Sequence, residues 1–184
     1  MLFEHRLELS FQRSHIPEPI ICDMARRFES VVFNIDVMSV GISEALLHIV
    51  LIGEKADLSS VRDYFVSLGA KARLIAEKKY KRELPTLPER TIQTEENEPV
   101  VERKIWLTLL GSLREQAFFW VLSRRFDVTY KFMQSVTGDS VSIVSILIWG
   151  PRSEVKGAVS YLREQGVNVE YGDVGVSAPF TPVG

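Results

Sequence analysis

Cysteine is almost absent from this sequence, with Cys22 the single example among 184 residues. One thiol excludes a disulfide within the chain and any cysteine cluster, and it suits a reducing compartment. Histidine is scarce as well. His5, His15 and His48 stand at no metal-ligand spacing with one another or with Cys22, so no metal site is expected. Long apolar runs are missing: the stretch Ser140 to Pro151 falls far short of the roughly 20 residues that a membrane-spanning helix needs. The start, MLFEHRLELSF, places Glu4, Arg6 and Glu8 among its apolar residues, unlike a signal peptide. A dominant charge is missing too. The net charge of -2 argues against the strongly basic face of a nucleic-acid-binding protein. These absences predict a cytoplasmic protein with no nucleic-acid partner and no membrane insertion.

Signatures of catalysis are equally sparse. Ile52-Gly53-Glu54-Lys55 lacks the further glycines of a phosphate loop, Asp23 and Asp36 are isolated carboxylates, and no nucleophile elbow occurs. His48 lies inside an apolar strand, where a structural role is expected. The sequence predicts a protein that is not an enzyme and holds no cofactor.

What the chain does have is periodicity. Leu7 to Phe11 alternates apolar and polar residues, as a half-buried strand does. Gln12 to Ile16 reads as a loop, and Pro17 and Pro19 suit the first turn of a helix. Ile20, Ile21, Met24, Ala25 and Phe28 then form one apolar helical face. Val31 to Met38 and Glu44 to Ile52 read as strands joined by a turn at Gly41. Leu58, Val61, Phe65 and Leu68 mark a second helix, capped by Asp57 or Ser59 and stopped by Gly69; Ala70 to Ala76 is the last strand. The order is β-α-β-β-α-β, the ferredoxin-like unit.

Residues 77–103 break the pattern. They contain Pro85, Pro88 and Pro99, a basic start at Lys78, Lys79, Lys81 and Arg82, and an acidic end at Glu95, Glu96 and Glu98. This composition predicts a solvated linker, ordered where Leu84, Leu87 or Ile92 meets a surface. A second β-α-β-β-α-β unit follows over 104–174. Its strands are Lys104 to Leu110, Asp127 to Thr137, Ser140 to Trp149 and Val167 to Tyr171, and its first helix spans Arg114 to Phe126. The stripe Val155, Ala158, Val159 and Leu162 marks its second helix, and 175–184 is a tail with Pro179 and Pro182. The fold class expected is α+β, two tandem ferredoxin-like units over 1–76 and 104–174 with antiparallel sheets.

The two units repeat one another in sequence. Arg26-Arg27-Phe28 recurs as Arg124-Arg125-Phe126, and Gly53 and Gly69 recur as Gly150 and Gly166 after a spacing one residue shorter. The single gap is expected in or near the hairpin. Each unit of about 70 residues is marginal by itself. The third strands, Ala45 to Ile52 and Ile146 to Trp149, are apolar on both faces, so the helix-free faces or the sheet edges of two units, or of two chains, are expected to pack together. Phe119 and Trp120 lie off the helix stripe and belong to the same expected contact. Intramolecular pairing or a homo-oligomer would satisfy it. An RNA-recognition module shares this element order, but the strand Leu46 to Leu51 displays no aromatic platform for bases.

At Ala25-Arg26-Arg27-Phe28, followed by Phe33-Asn34-Ile35, the first unit resembles a NIL domain, a relative of the ACT ligand-binding modules; the second unit resembles it more faintly. The family occurs at the C-terminus of methionine-importer ATPase subunits. The resemblance implies a pocket at a domain–domain interface in which Asn34 contacts a bound amino acid and Val40 lines the wall. Ile35 and Met38 would accept a thioether or aliphatic side chain. Asp36 stands where the family has leucine, and brings a carboxylate beside any bound one. Phe132 is the expected counterpart of Asn34. The function implied is non-enzymatic binding of an amino acid, with methionine the leading candidate. The alternative is an interaction or assembly scaffold that has lost the ligand site.

Overall fold

Alternation sets the strands, and the side each one buries places the helices. Phe3–Gln12 (β1) buries His5, Leu7, Leu9 and Phe11 and turns Glu4, Arg6, Glu8 and Ser10 to the opposite side. The computed structural model describes residues 1–12, 18–41, 43–90 and 92–172. The loop expected after Gln12, Pro17, His15 and the tail beyond Gly172 lie outside the described residues. After β1 come α1 (Ile20–Arg27), β2 (Val32–Val40), β3 (Glu44–Gly53), α2 (Lys55–Ser67) and β4 (Lys71–Lys79). The second half contributes β5 (Val100–Leu110), α3 (Phe118–Arg125), β6 (Thr129–Thr137), β7 (Val141–Pro151), α4 (Arg152–Glu164) and β8 (Asn168–Gly172). The chain is thus α+β, two β-α-β-β-α-β units in tandem, as its periodicity implies.

Both units share one sheet of eight strands, in the order β4-β1-β3-β2-β6-β7-β5-β8, with every pairing antiparallel. Of the arrangements open to a chain with apolar third strands, this one joins sheet edges within one chain. The helix-free face stays uncovered by any described helix. β3 and β7 lie inside the sheet, so Val50, Ile52, Ile143, Leu147 and Trp149 on that face are half-shielded by their neighbours. The helices cover the other face, with α1 beside α3 above the join.

That neighbour explains the composition of both helices. α1 buries Ile20, Ile21, Cys22, Met24 and Ala25, and α3 buries every residue from Phe118 to Ser123. Each packs on the sheet below and on the other helix beside it. Phe119 and Trp120 are both buried, and the Phe119 ring lies edge-on to Phe132 at 5.0 Å and tilted on Tyr130 at 5.6 Å, within the second half. One core cluster runs from Leu7 through Val169 across both halves.

Gly69 (φ 88°) and Gly166 (φ 94°) end the second helix of each unit in the left-handed region where a side chain is strained. Two local expectations are corrected. α2 begins after Glu54, so neither Asp57 nor Ser59 caps it, and Asp57 instead accepts a hydrogen bond from Ser30 at 2.8 Å. The helix expected over Arg114 to Phe126 is divided into a 3-10 turn, Gly111–Glu115, and α3. The cause is Arg114, whose guanidinium donates to the carbonyls of Gly138 and Asp139 at 2.8 and 2.9 Å and pins the turn to the β6–β7 hairpin.

The segment between β4 and β5 is strapped to the second half. Leu87 and Ile92 pack against the core, whereas Leu84 is exposed. Gly157 on α4 makes room for Ile92, since a Cβ there would lie 2.0 Å from Ile92 Cδ1. The Glu154 carboxylate is fully buried and accepts hydrogen bonds from Arg90, from Thr94 at 2.7 Å and from the backbone N–H of Asp127 at 3.2 Å. A buried charge needs such partners.

Candidate ligand site at the seam

The seam between the halves is narrow. β2 and β6 share one ladder pair, Val40 with Ser135. Beside it, Thr137 Oγ1 accepts the N–H of Met38 at 3.0 Å and donates to its carbonyl at 3.1 Å. Further bonds cross the seam above the sheet. Arg26 donates to the carbonyl of Val128 and to Thr129 Oγ1, and Arg124 approaches the Glu29 carboxylate at 3.6 Å. The repeated Arg-Arg-Phe acquires a physical meaning here, because the first arginine of each copy reaches into the other half. The second arginine of the first copy, Arg27, lies over the rings of Phe28 and Tyr64 instead.

The five residues singled out on β2 divide between two sides of the sheet. Ile35, Met38 and Val40 are buried toward the helices. Asn34 pairs with Val50, and its amide makes one long bond to the Arg114 carbonyl at 3.4 Å. Asp36 sits at a bulge between Ile35 and Val37, an insertion that re-aims a side chain. One of its oxygens is 2.6 Å from the Arg6 guanidinium, and the other is buried without a hydrogen-bond partner among the described residues. The ion pair offsets the charge that would repel a bound carboxylate.

Register corrects the counterpart of Asn34. Val32 and Thr129 pair with Ile52 and Trp149, Asn34 and Lys131 with Val50 and Leu147, and Ile35 and Phe132 with Ile49 and Ile146. Both strands bulge directly after the last of these, at Asp36 and Met133. Lys131 therefore occupies the position of Asn34, and Phe132 that of Ile35. The hairpins match in length, since Gly41 N–H bonds the Glu44 carbonyl and Gly138 N–H that of Val141. The gap falls earlier, where two residues separate Phe28 from Val31 and one separates Phe126 from Val128. Counting residues between helix and strand would have found Lys131; matching apolar positions could not.

A groove opens at the seam beneath the start of α1. Phe11, Ile20, Ile21 and Leu47 of the first half and Tyr130 and Phe132 of the second form its apolar walls. Val40 lies at the join, and Glu18 and Lys131 also border the groove, although Lys131, paired with Leu147, alternates with Tyr130 and Phe132 and turns its side chain to the helix-free side of the sheet. Counting its part open to solvent, the groove encloses about 390 Å³, but its cavity proper is about 30 Å³. That holds about one water; small-ligand pockets run to roughly 300–1,000 Å³. Tyr130 closes the floor, with its hydroxyl bonded to Ser123 at 2.7 Å and donating to the Phe119 carbonyl at 2.9 Å. Complete burial pushes its pKa well above 10, so it remains a neutral donor. Burial also raises the Cys22 thiol, which lies 3.8 Å from the Val128 carbonyl. Among the described residues, no cluster of three or more His, Cys, Asp or Glu could hold a metal, and no helix is long and apolar enough to cross a membrane.

Fold and seam together define an α+β protein of two ferredoxin-like units sharing one antiparallel sheet. No family model matches the chain, and no curated protein matches it. Similar solved structures include a protein from Galdieria sulphuraria at 12% identity, covering 93% of this chain and 98% of that one with a TM-score of 0.32. Another is described as a glycine cleavage system transcriptional repressor, at 9% identity, 94% and 97% coverage and a TM-score of 0.32. The acetolactate synthase small subunit from Thermotoga maritima shares 16% identity over 92% of this chain and 98% of its own, with a TM-score of 0.26. Likenesses at these values carry no argument, and the fold is established by the strand order itself.

Proposed function

We propose that this chain is a non-enzymatic regulatory module that binds an amino acid with an apolar side chain, methionine being the first candidate, at the seam between its two halves. One observation carries the reading: β2 and β6 share a single ladder pair beside a groove walled by both halves. A ligand there touches both halves at once. Its binding energy then differs between arrangements of the halves, which is what coupling to a regulatory state requires. The resemblance of Asn34 and its neighbours to the NIL pattern supports the same interface, and Asn34 and Val40 both lie along it. A cavity of about 30 Å³ means that an amino acid widens the groove as it enters, by moving the first turn of α1 away from β6. Isothermal titration of the full chain against each of the twenty amino acids tests this. Saturable heat with one of them, together with a raised melting temperature, is expected. No heat and no thermal shift with any would overturn it.

A second reading, a protein-interaction scaffold, is favoured by the helix-free face, where Val50, Ile52, Ile143, Leu147 and Trp149 are half-buried with no described helix upon them. Sedimentation velocity separates the readings. A scaffold that self-associates through this face sediments as an oligomer that Trp149→Glu dissociates, whereas a ligand module responds to the amino acid.

A further inference from the structure

The helix-free face of the sheet differs between the two halves. In the first half it is charged and paired: Glu4 with Lys78, Arg6 with Asp36, and Glu8 with both His48 and Arg73. In the second half, Trp106 of β5 lies opposite Ser145 of β7, with Ile143 and Leu147 on either side of Ser145 along the same face. Apolar side chains on this face are half-buried, as at Leu147 and Trp149. Trp106 breaks that rule at only 5% exposed, and Ser145 opposite it is fully buried. Position in the sheet predicts the reverse, because β5 lies one strand nearer the edge than β7. The Lys104 ammonium lies over the indole at 5.2 Å and covers part of it. The described helices lie on the other side, the described strands are all in the sheet, and Arg90 and Ile92 of the connecting segment pack on α3 and α4. None of these completes the cover.

We propose that residues 173–184 of this chain lie across the helix-free face of the second half, over Trp106 and Ser145. Two observations select this occupant. The first is where β8 ends: it pairs with β5 and stops at Gly172, opposite Lys104. A Cβ on Gly172 would stand 2.8 Å from Trp106 Nε1 and 3.0 Å from its Cδ1, so the chain leaves β8 against the indole itself. The second is the composition of the twelve residues that follow. Asp173 is their single charged side chain, and Val174, Val176, Phe180 and Val183 are apolar. Pro179 and Pro182 suit an extended segment and oppose a helix. Twelve extended residues reach roughly 40 Å, whereas β8, β5, β7 and β6 together span about 15 Å. The segment is therefore long enough to bring Phe180 and Val183 onto Leu147 and Trp149. Apolar surface covered in this way is withheld from other chains, and a second copy using this face would first have to displace the segment. The proposal is independent of the ligand reading, whose groove lies on the other side of the sheet.

The test is proton–nitrogen correlation NMR of the full chain, reading the indole N–H of Trp106, which the Trp106→Phe variant identifies. Val176→Asp and Phe180→Asp each place a charge in the segment and leave the residues of the sheet unchanged. Each should shift the Trp106 signal and speed the exchange of its N–H with water by about tenfold or more, as local opening does. The indole signal of Trp120, buried on α3, should stay in place and shows that the fold survives. Phe180→Leu, which keeps the apolar contact, should leave Trp106 as it is in the parent. An unchanged Trp106 signal in both aspartate variants would overturn the proposal. So would a parent Trp106 signal that moves with protein concentration, since a second copy would then be the cover.

Discussion

Thr137 holds Met38 at both of its backbone polar groups, accepting the N–H at 3.0 Å and donating to the carbonyl at 3.1 Å, next to the one ladder pair that joins the halves. The seam therefore depends on a hydroxyl where an ordinary sheet depends on a ladder. Thr137→Val keeps the shape and leaves a part-buried N–H unsatisfied, at a cost of about 1–3 kcal/mol. Urea denaturation should show that loss, with amides of β2 and β6 exchanging faster than those of β1 or β5. Unchanged stability and exchange would mean that α1 and α3 hold the seam without it.

Cys22 reports on the same interface. The residue is fully buried between α1 and the second half, and burial pushes its thiol above the ordinary 9.0. Alkylation near neutral pH should be slow in the native protein and rise in Thr137→Val, followed by intact-protein mass spectrometry. Prompt modification of the untreated protein would contradict the packing of α1 on β6.

The connecting segment is held at Glu154. Glu154→Ala removes the acceptor shared by Arg90, Thr94 and the Asp127 N–H. Arg90 is 41% exposed and can return to water, so the cost is about 1–3 kcal/mol, below that of a pair buried on both sides. The cleavage sites at Lys81 and Arg82 should be cut by trypsin faster in the variant if the strap is released. Equal digestion rates would show that Leu87 and Ile92 hold it unaided.

Acid should loosen the molecule by a definite route. Glu98 is held below the usual 4.5 by hydrogen bonds from the Ser153 hydroxyl and backbone N–H; Glu8 is lowered by its bond to His48 and then Arg73, and Glu77 by Lys55. A carboxylate lowered in the folded state contributes in full above its unfolded value, and loses that contribution as pH falls through the folded value. Melting temperature should therefore decline as pH drops below about 4.5, and Glu98→Gln should flatten part of the decline. A profile with the same slope in the variant would mean that Ser153 does not depend on the charge of Glu98.

Much of the fold was legible because local chemistry repeats. Alternation along β1, the apolar stripes of α2 and α4, and Gly69 and Gly166 at their ends are decided by neighbouring residues in the chain, and the structure follows them. The candidate site was legible only in outline. Asn34 and Val40 both lie along the seam, but nothing in the strand VFNIDVMSV reveals a bulge at Asp36. Lys131 was hidden by a one-residue gap, since apolar matching aligned Asn34 with Phe132 equally well.

The sequence by itself determined the order of strands and α-helices, because periods of two and 3.6 are local and glycine stops are local. It also pointed to a further contact at the second unit's first helix, since Phe119 and Trp120 lie off its apolar stripe. The tertiary structure alone decided that β2 meets β6 edge to edge, that the Asn34 amide reaches the Arg114 carbonyl, and that a groove walled by both halves lies beneath α1. Those choices depend on pairing register and on groups far apart in the chain, such as Asn34 with Arg114 and Val40 with Ser135, and no local pattern specifies which distant edge a strand will find.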